Sequence, residues 1–361
     1  MASLATINLY LCAIIFFFGQ LTRIKFHQIE FNLFDISLLS LSLLNLFINL
    51  KQKKSITSKY FLHFLFFAWV SYFFNLLLLK NFSLKPFLYL IRLSSYLSFF
   101  IYPLDKKIIS QKFHRFFNLI ILSNISFGFV QYIFWPNFTY FDSLNWDPHL
   151  YRLISTFFDP TFTALIYLFF IIDLFLNQKK FSFKLLIPYL ALSLTYSRSS
   201  LLSLSIVSIF VSFKLKKIKI FLITFIFLLF TLILLPRLSG EGTKLERTSS
   251  IFAKIENYQE AFQTFLKSPI IGIGYNNIGL LRPNINPNSH ANWGFDGSLM
   301  TILATTGILG LLLFTKSSIL FFYNSNLIFQ TLFIALLIHS LFANSMLYPW
   351  IIFYIIIKNR K

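Results

Sequence analysis

Residues 185–219 read LLIPYLALSLTYSRSSLLSLSIVSIFVSFKLKKIK. The stretch holds two apolar runs, 185–197 and 199–213, divided by Arg198 alone, and it ends in the basic run KLKKIK at 214–219. Read as one membrane span, it turns over every later segment and leaves KLKKIK on the outer face. Read as two short spans with Arg198 at the outer rim, it keeps those lysines on the cytoplasmic face, where short basic loops concentrate. The charge pattern selects the second reading, and the rest of the chain agrees with it.

Of the 361 residues, 57% are hydrophobic and only 12% charged, with a mean hydropathy of +0.70. Soluble domains carry about 25% charged residues, so this composition excludes a soluble fold. The apolar runs predict an all-α polytopic membrane protein, a single integral membrane domain over residues 1–361 with about twelve spans: 4–22, 33–50, 60–79, 84–104, 114–135, 160–176, 185–197, 199–213, 218–236, 297–315, 327–342 and 345–357. A full crossing takes about 20 residues, so 185–197, 199–213 and 345–357 are short. The N-terminal run lacks a small-residue cleavage site and reads as a retained span. Cys12 stands alone, so neither a disulfide within the chain nor a cysteine metal site is available.

An even number of spans puts both termini on one side. That side collects Lys51, Lys53, Lys54, Lys59, Lys106, Lys107, Lys112, Arg115, Lys179, Lys180, Lys184, the KLKKIK lysines, Lys316, Lys358, Arg360 and Lys361. The short loops opposite hold Arg23, Lys25, Lys80, Lys85, Arg152 and Arg198. The first set is therefore expected to be cytoplasmic, together with both termini. The net charge of +20 reflects this sorting rather than a nucleic-acid-binding face. Two longer connectors, 136–159 and 237–297, are then extracytoplasmic. The cytoplasmic loops are too short for a nucleotide-binding domain and carry no P-loop. Outside the membrane there is no nucleotide-activated donor, so chemistry in the outer loops needs a substrate already activated, as on a lipid carrier.

The 237–297 loop is the one long polar segment. Residues 249–267 read as an amphipathic helix, with Ile251, Ile255, Tyr258, Phe262, Phe265 and Leu266 on one face and Thr248 or Ser249 as cap. Lys254 falls at the edge of the apolar face and points inward. Pro269 ends the helix, and Gly272 and Gly274 make a turn that is not a dinucleotide-binding signal. His290, just ahead of the next span, has the side chain best suited to accept a proton near neutral pH. Arg198, Arg152 and Arg247 all lie on the same expected side, and with Lys254 they form a candidate cationic rim. A guanidinium fork matches a pair of phosphate oxygens. Arg92, in mid-span, must face protein or a wet cavity. Asp173 is near enough to a span end to reach the interface. His63 and His339 are expected to pack between helices, and His27, His114 and His149 have no partner pattern. No His, Asp or Glu spacing points to a metal site.

The ordered series SRSSLLSL (197–204), a long loop with an amphipathic helix, KSPIIGIGYNN (267–277), SHANW (289–293) and ATTGILGLLLF (304–314) resembles the O-antigen ligase and O-antigen polymerase superfamily of bacterial membrane glycosyltransferases. RLISTFFDPTFTA (152–164) fits the same pattern. The resemblance covers roughly the second half of the chain; the first five spans share only hydropathy. It implies a GT-C-like helical fold in the bacterial inner membrane. It also implies glycan transfer from an undecaprenyl-pyrophosphate-linked oligosaccharide donor to a glycan, lipid or protein acceptor, with no metal or other cofactor. Carried over by position, Arg198 binds pyrophosphate and His290 is the base. The family's loop arginine falls on Lys254, with Arg247 seven residues earlier. A transporter or flippase of lipid-linked oligosaccharides is the alternative, but no internal repeat appears and polar residues gather on one face. A non-catalytic scaffold leaves the ordered Arg and His motifs unexplained.

Overall fold

A computed structural model describes the chain apart from residues 1, 27–28, 51–54, 80–82, 106–107, 145, 179–182, 283–289 and 359–361. Lys51, Lys53, Lys54, Lys80, Lys106, Lys107, Lys179, Lys180, Arg360, Lys361 and His27 thus lie outside the described residues. The elements run α1 (Ala2–Phe18), β1 (Arg23–Phe26), β2 (Ile29–Asn32), α2 (Leu33–Asn49), α3 (Ile56–Leu79), α4 (Leu84–Ile101), α5 (Gln111–Phe134), β3 (Asn137–Phe138), β4 (His149–Leu150), α6 (Pro160–Gln178), α7 (Leu186–Leu194), α8 (Arg198–Leu215), α9 (Lys219–Leu234), α10 (Ser249–Lys267), α11 (Ile278–Leu281), α12 (Ser298–Tyr323), α13 (Leu327–His339) and α14 (Pro349–Lys358).

Each expected span coincides with a helix, α1 to α9 and α12 to α14. Among the described residues, six helices (α1, α3, α5, α6, α8 and α12) are long and apolar enough to cross a membrane. The chain is an all-α, multi-pass membrane protein. Two small antiparallel ladders, β1–β2 and β3–β4, interrupt the helices. In β1–β2 the register sets Arg23 opposite Asn32 and Lys25 opposite Glu30. Neither ladder was expected, because such short pairs leave no hydrophobic alternation to read.

Helix α3 packs along α12, α8 along α13, and α1 along α2. Aromatic side chains fill the joints: Phe34 stacks on Trp350 at 5.2 Å, and Phe16 meets Phe117 edge-on at the same separation. Helix α7 has only nine residues, and the chain turns sharply through Tyr196 (φ 55°) to start α8 at Arg198. The two-span reading of 185–213 is thereby realised as two helices. Lys216 stands in the left-handed region and closes α8 ahead of α9.

Several local expectations are corrected. Asp173 does not reach an interface: its carboxylate takes a 2.6 Å bond from Lys358 Nζ, with both side chains almost fully buried. His63 is exposed on α3, edge-on to Tyr60 of its own helix. His339 is buried, with Nδ1 3.1 Å from Ser345 Oγ, as expected of a packed histidine. Thr248 precedes α10 but makes no side-chain cap. Helix α12 runs past 315 to Tyr323 and carries Lys316 4.5 Å from the Tyr60 ring centre.

The glycine turn is more than a turn. Gly272 (φ 79°) lies against the backbone of α12 where Gly307 (φ 66°) breaks the helix. A Cβ on Gly272 would sit 2.4 Å from Thr305 C and Thr306 N. Helix α3 supplies the missing hydrogen bonds: Ser71 Oγ donates to Ile271 O at 2.7 Å, and Asn75 Nδ2 donates to Gly272 O at 2.9 Å. Irregular backbone inside a membrane protein needs this internal satisfaction.

Candidate active site

The site is built from three loops that meet at one end of the bundle. Residues 146–159 are fastened to α5 by Gln131, whose Oε1 accepts from Ile154 N (2.9 Å) and Ser155 N (3.2 Å). The α7–α8 turn is fastened to the same loop by Leu153 N donating to Leu194 O at 3.0 Å. Residues 237–248 cover both: Gly240 and Gly242 pack so tightly on Leu150 and Arg152 that a Cβ at either would meet them at 2.9 and 2.8 Å.

Arg152, Arg198 and Arg247 converge there. Arg152 is buried, and its Nε donates to Thr195 O at 2.9 Å. Arg198 opens α8; its Nη1 donates to Arg247 O (2.7 Å) and Leu245 O (3.2 Å), and its Nη2 donates to Ser250 Oγ (2.5 Å) at the start of α10. Arg247 turns its Nη1 to Gly242 O (2.7 Å) and Lys244 O (2.9 Å). Burial, with Arg247 and Arg198 close by, pushes the Arg152 guanidinium well below the usual arginine range. Partial burial and then Arg198 push Arg247 in the same direction. Among the described residues, none of the three forms an ion pair with a carboxylate. A cavity of about 310 Å³ opens beside them, lined by Tyr196, Leu232, Leu235, Arg237, Thr243, Leu245 and Glu246.

Backbone strain concentrates at the same place. Among the described residues, six that are not glycine have positive φ, and four of them (Tyr151, Ser155, Phe158 and Tyr196) flank Arg152 and Arg198. Such conformations cost about 1–3 kcal/mol each and persist where the surroundings hold them, often at functional sites.

Lys254 does turn inward, but to a different set of partners. Its Nζ pairs with Asp296 at 3.2 Å and donates to Phe342 O, while Tyr258 OH donates to Leu341 O at 2.5 Å. Asn257 Oδ1 accepts from Asp296 N at 2.8 Å. Lys254, Tyr258, Ala261 and Thr264 thus form the face of α10 that packs on the protein. The apolar face of Ile251, Ile255, Phe262 and Leu266 is left exposed. His290 opens a short 3-10 turn, His290–Trp293, ahead of Asp296 and α12; its side chain lies outside the described part of the structure. Asp147 lies within electrostatic reach of both Arg152 and Asp296.

Residues 183–315 match the family model described as O-antigen ligase. Over those residues the chain is similar to the O-antigen ligase family. The matched segment runs from the start of α7 into α12 and contains Arg198, Arg247, Lys254 and His290; Arg152 lies before it. No curated protein matches the chain. The similarity points toward cell-surface polysaccharide ligation or polymerisation.

Two other groups near the arginines were not read as site residues from the sequence. His149 is buried on β4, and burial followed by Arg152 pushes its imidazole down to about 4, so it is neutral at ordinary pH. Asp159 caps α6 by accepting from Thr161 N (2.6 Å) and Phe162 N (3.1 Å). The Asp-Pro pair in FFDPT was the available hint for the cap, since Pro suits the first helical position. Nothing marked His149. Among the described residues, no three His, Cys, Asp or Glu side chains gather as a metal-binding group.

Proposed function

We propose that this chain transfers a glycan from a polyprenyl-pyrophosphate-linked donor to an acceptor hydroxyl at the extracytoplasmic membrane face. The observation that carries the reading is the convergence of Arg152, Arg198 and Arg247 on backbone carbonyls, with no carboxylate ion-paired to any of them among the described residues. The other part-buried arginines each meet one: Arg23 meets Glu30 at 3.0 Å, Arg92 meets Asp35 at 2.8 Å, and Arg282 meets Glu260 at 2.5 Å. Three neighbouring guanidinium groups held by carbonyls repel one another until an anion arrives. A pyrophosphate supplies that anion, and its charge grows as it leaves.

In the proposed step, the acceptor oxygen attacks the anomeric carbon of the donor. A new C–O bond forms, and the bond to the pyrophosphate oxygen breaks. The electron pair stays on the pyrophosphate, where Arg198, Arg247 and Arg152 stabilise it. His290 takes the proton from the acceptor hydroxyl. Arg247 fills the role of the loop arginine, because it joins Arg198 while Lys254 is committed to Asp296. The twelve helices cross the membrane with both termini cytoplasmic, in a bacterial plasma membrane. The exposed apolar face of α10 then rests on the outer leaflet.

His290→Ala is expected to abolish transfer at normal expression; full retained activity removes His290 from the mechanism. A deletion strain gives the wider test, through a glycan gel and a measurement of the lipid-linked pool. Single repeats on the acceptor identify a polymerase, and long chains stranded on the carrier identify a ligase. Repeats trapped inside the cell overturn the transferase reading in favour of a flippase.

A further inference from the structure

A second polar region lies across the His290 turn from the arginines, and its chemistry is different. Lys85, Tyr89, Arg92 and Tyr96 recur along α4 at helical spacing, so they share one face. At the top of this stripe, Lys85 Nζ lies 5.4 Å from the ring centre of Trp293, the residue that closes the turn begun by His290. Deeper, the Arg92 guanidinium lies 5.6 Å from the Tyr89 ring and pairs with Asp35 of α2.

The Arg92–Asp35 pair is not sealed. Its side chains keep 23% and 24% of their surface accessible, although Arg92 is two helical turns into α4. A charge held at that depth does not face lipid. An accessible polar surface therefore runs down α4 from Lys85, beside Trp293, to Arg92. Arg23 and Glu30 of the β1–β2 ladder lie in electrostatic reach of Tyr89. Tyr275 of the glycine turn is buried within electrostatic reach of Arg92 and Tyr89. Beside it Asn276 is 5% exposed and held at φ 60°, and its Nδ2 has no hydrogen-bond partner. A buried amide without a partner costs about 1–3 kcal/mol, a cost that a bound ligand removes.

This surface mixes both charge signs with a neutral amide. Its arginines are each ion-paired, Arg92 with Asp35 and Arg23 with Glu30, whereas the three clustered arginines form no ion pair among the described residues. Hydroxyl groups, which donate and accept, suit such a surface. We infer that the surface between α4 and the Tyr275–Asn276 turn binds the sugar end of the acceptor glycan and delivers its hydroxyl to the His290 turn. The inference rests on the transferase reading above and assigns the acceptor a site separate from the donor's pyrophosphate.

The test uses purified full-length protein in nanodiscs with two probes. One is inorganic pyrophosphate; the other is the repeat oligosaccharide released by mild acid from the host's own surface polysaccharide. Asn276→Gly removes the amide and suits the left-handed backbone, so folding is preserved. Lys85→Gln is the second variant. Both are expected to weaken oligosaccharide binding about tenfold, as one or two lost hydrogen bonds imply, with pyrophosphate binding unchanged. Unchanged oligosaccharide binding in both variants overturns the acceptor site and leaves the transferase reading standing. Equal weakening of both probes also overturns it, because the surface then serves the donor. Wild-type protein that binds neither probe overturns the transferase reading itself.

Discussion

Two groups of cations in this protein obey opposite rules. Lys358 and Asp173, at the far end of α6, form a closed pair: 2.6 Å apart, 5% and 2% exposed, and beside no strained loop. Arg152, Arg198 and Arg247, at the other end of the bundle, hold like charges together on backbone carbonyls and are flanked by left-handed residues. The first arrangement satisfies itself and serves to tie α14 to α6. On the proposed function, the second is completed by the donor's pyrophosphate. The difference then separates cations that build the fold from cations that bind a ligand.

The sharpest way to break the contrast is to unpair the closed site. Lys358→Met leaves Asp173 buried alone and is expected to cost about 3–5 kcal/mol, seen as lost thermal stability and lower yield. Replacing both partners with apolar residues should restore most of it. Transfer per folded molecule should not change in either variant; if it falls with Lys358→Met alone, the pair is not merely structural.

At the open site the effect moves from stability to rate. Arg198→Lys keeps the charge but loses the fork that grips Arg247 O, Leu245 O and Ser250 Oγ together. Transfer is expected to fall by about 10²–10³-fold, the usual consequence of removing one preorganised donor to a developing anion. Thermal stability should move far less than in Lys358→Met. A loss below tenfold would mean that a point charge suffices there.

His149 connects the two kinds of behaviour through pH. Its folded pKa, about 4, lies below the ordinary value of 6.5. Between those values the unfolded chain binds a proton that the folded one refuses, so this histidine makes stability fall as pH drops from 6.5 toward 4. The loss amounts to at most about 3 kcal/mol at the acid end. His149→Gln should flatten that part of the stability curve relative to wild type. An unchanged curve means that Arg152 and the buried loop do not hold the imidazole neutral.

Much of this architecture was legible before any coordinates. Apolar blocks mark the helices because a membrane span must be apolar along its length. The sharp turn at Arg198 showed because a charge between two short runs has nowhere else to sit. The partners of the charges did not show. Asp173 meets Lys358 and Arg92 meets Asp35 across 185 and 57 positions, and one sequence carries no trace of such pairings. Gly307, inside ATTGILG, reads as an ordinary helix residue; its role as the seat for Gly272 exists only once α3, α12 and the loop are assembled. On α10 the periodicity shows the apolar stripe and turns Lys254 inward, as the structure has it, but the partners that Lys254 and Tyr258 meet there, Asp296 and the carbonyls of Phe342 and Leu341, did not show.

That edge of α10 supplies the last separation, between Arg247 and Lys254. Both lie in the long loop, seven residues apart, and both are candidates for the loop-arginine role that the resemblance implies. Arg247 gives its carbonyl to Arg198 and forms no ion pair among the described residues; Lys254 is spent on Asp296 and Phe342 O. Inorganic pyrophosphate at 100 times its Kd should stabilise the wild type by about 2.7 kcal/mol, because it binds the folded state alone. Arg247→Ala should lose most of that gain. Lys254→Ala should keep it while lowering the starting stability, since it leaves Asp296 without its cation. The reverse result, with the gain lost in Lys254→Ala and kept in Arg247→Ala, moves the anion site to the Asp296 side of the loop. It would require the lysine to leave its carboxylate when the donor arrives.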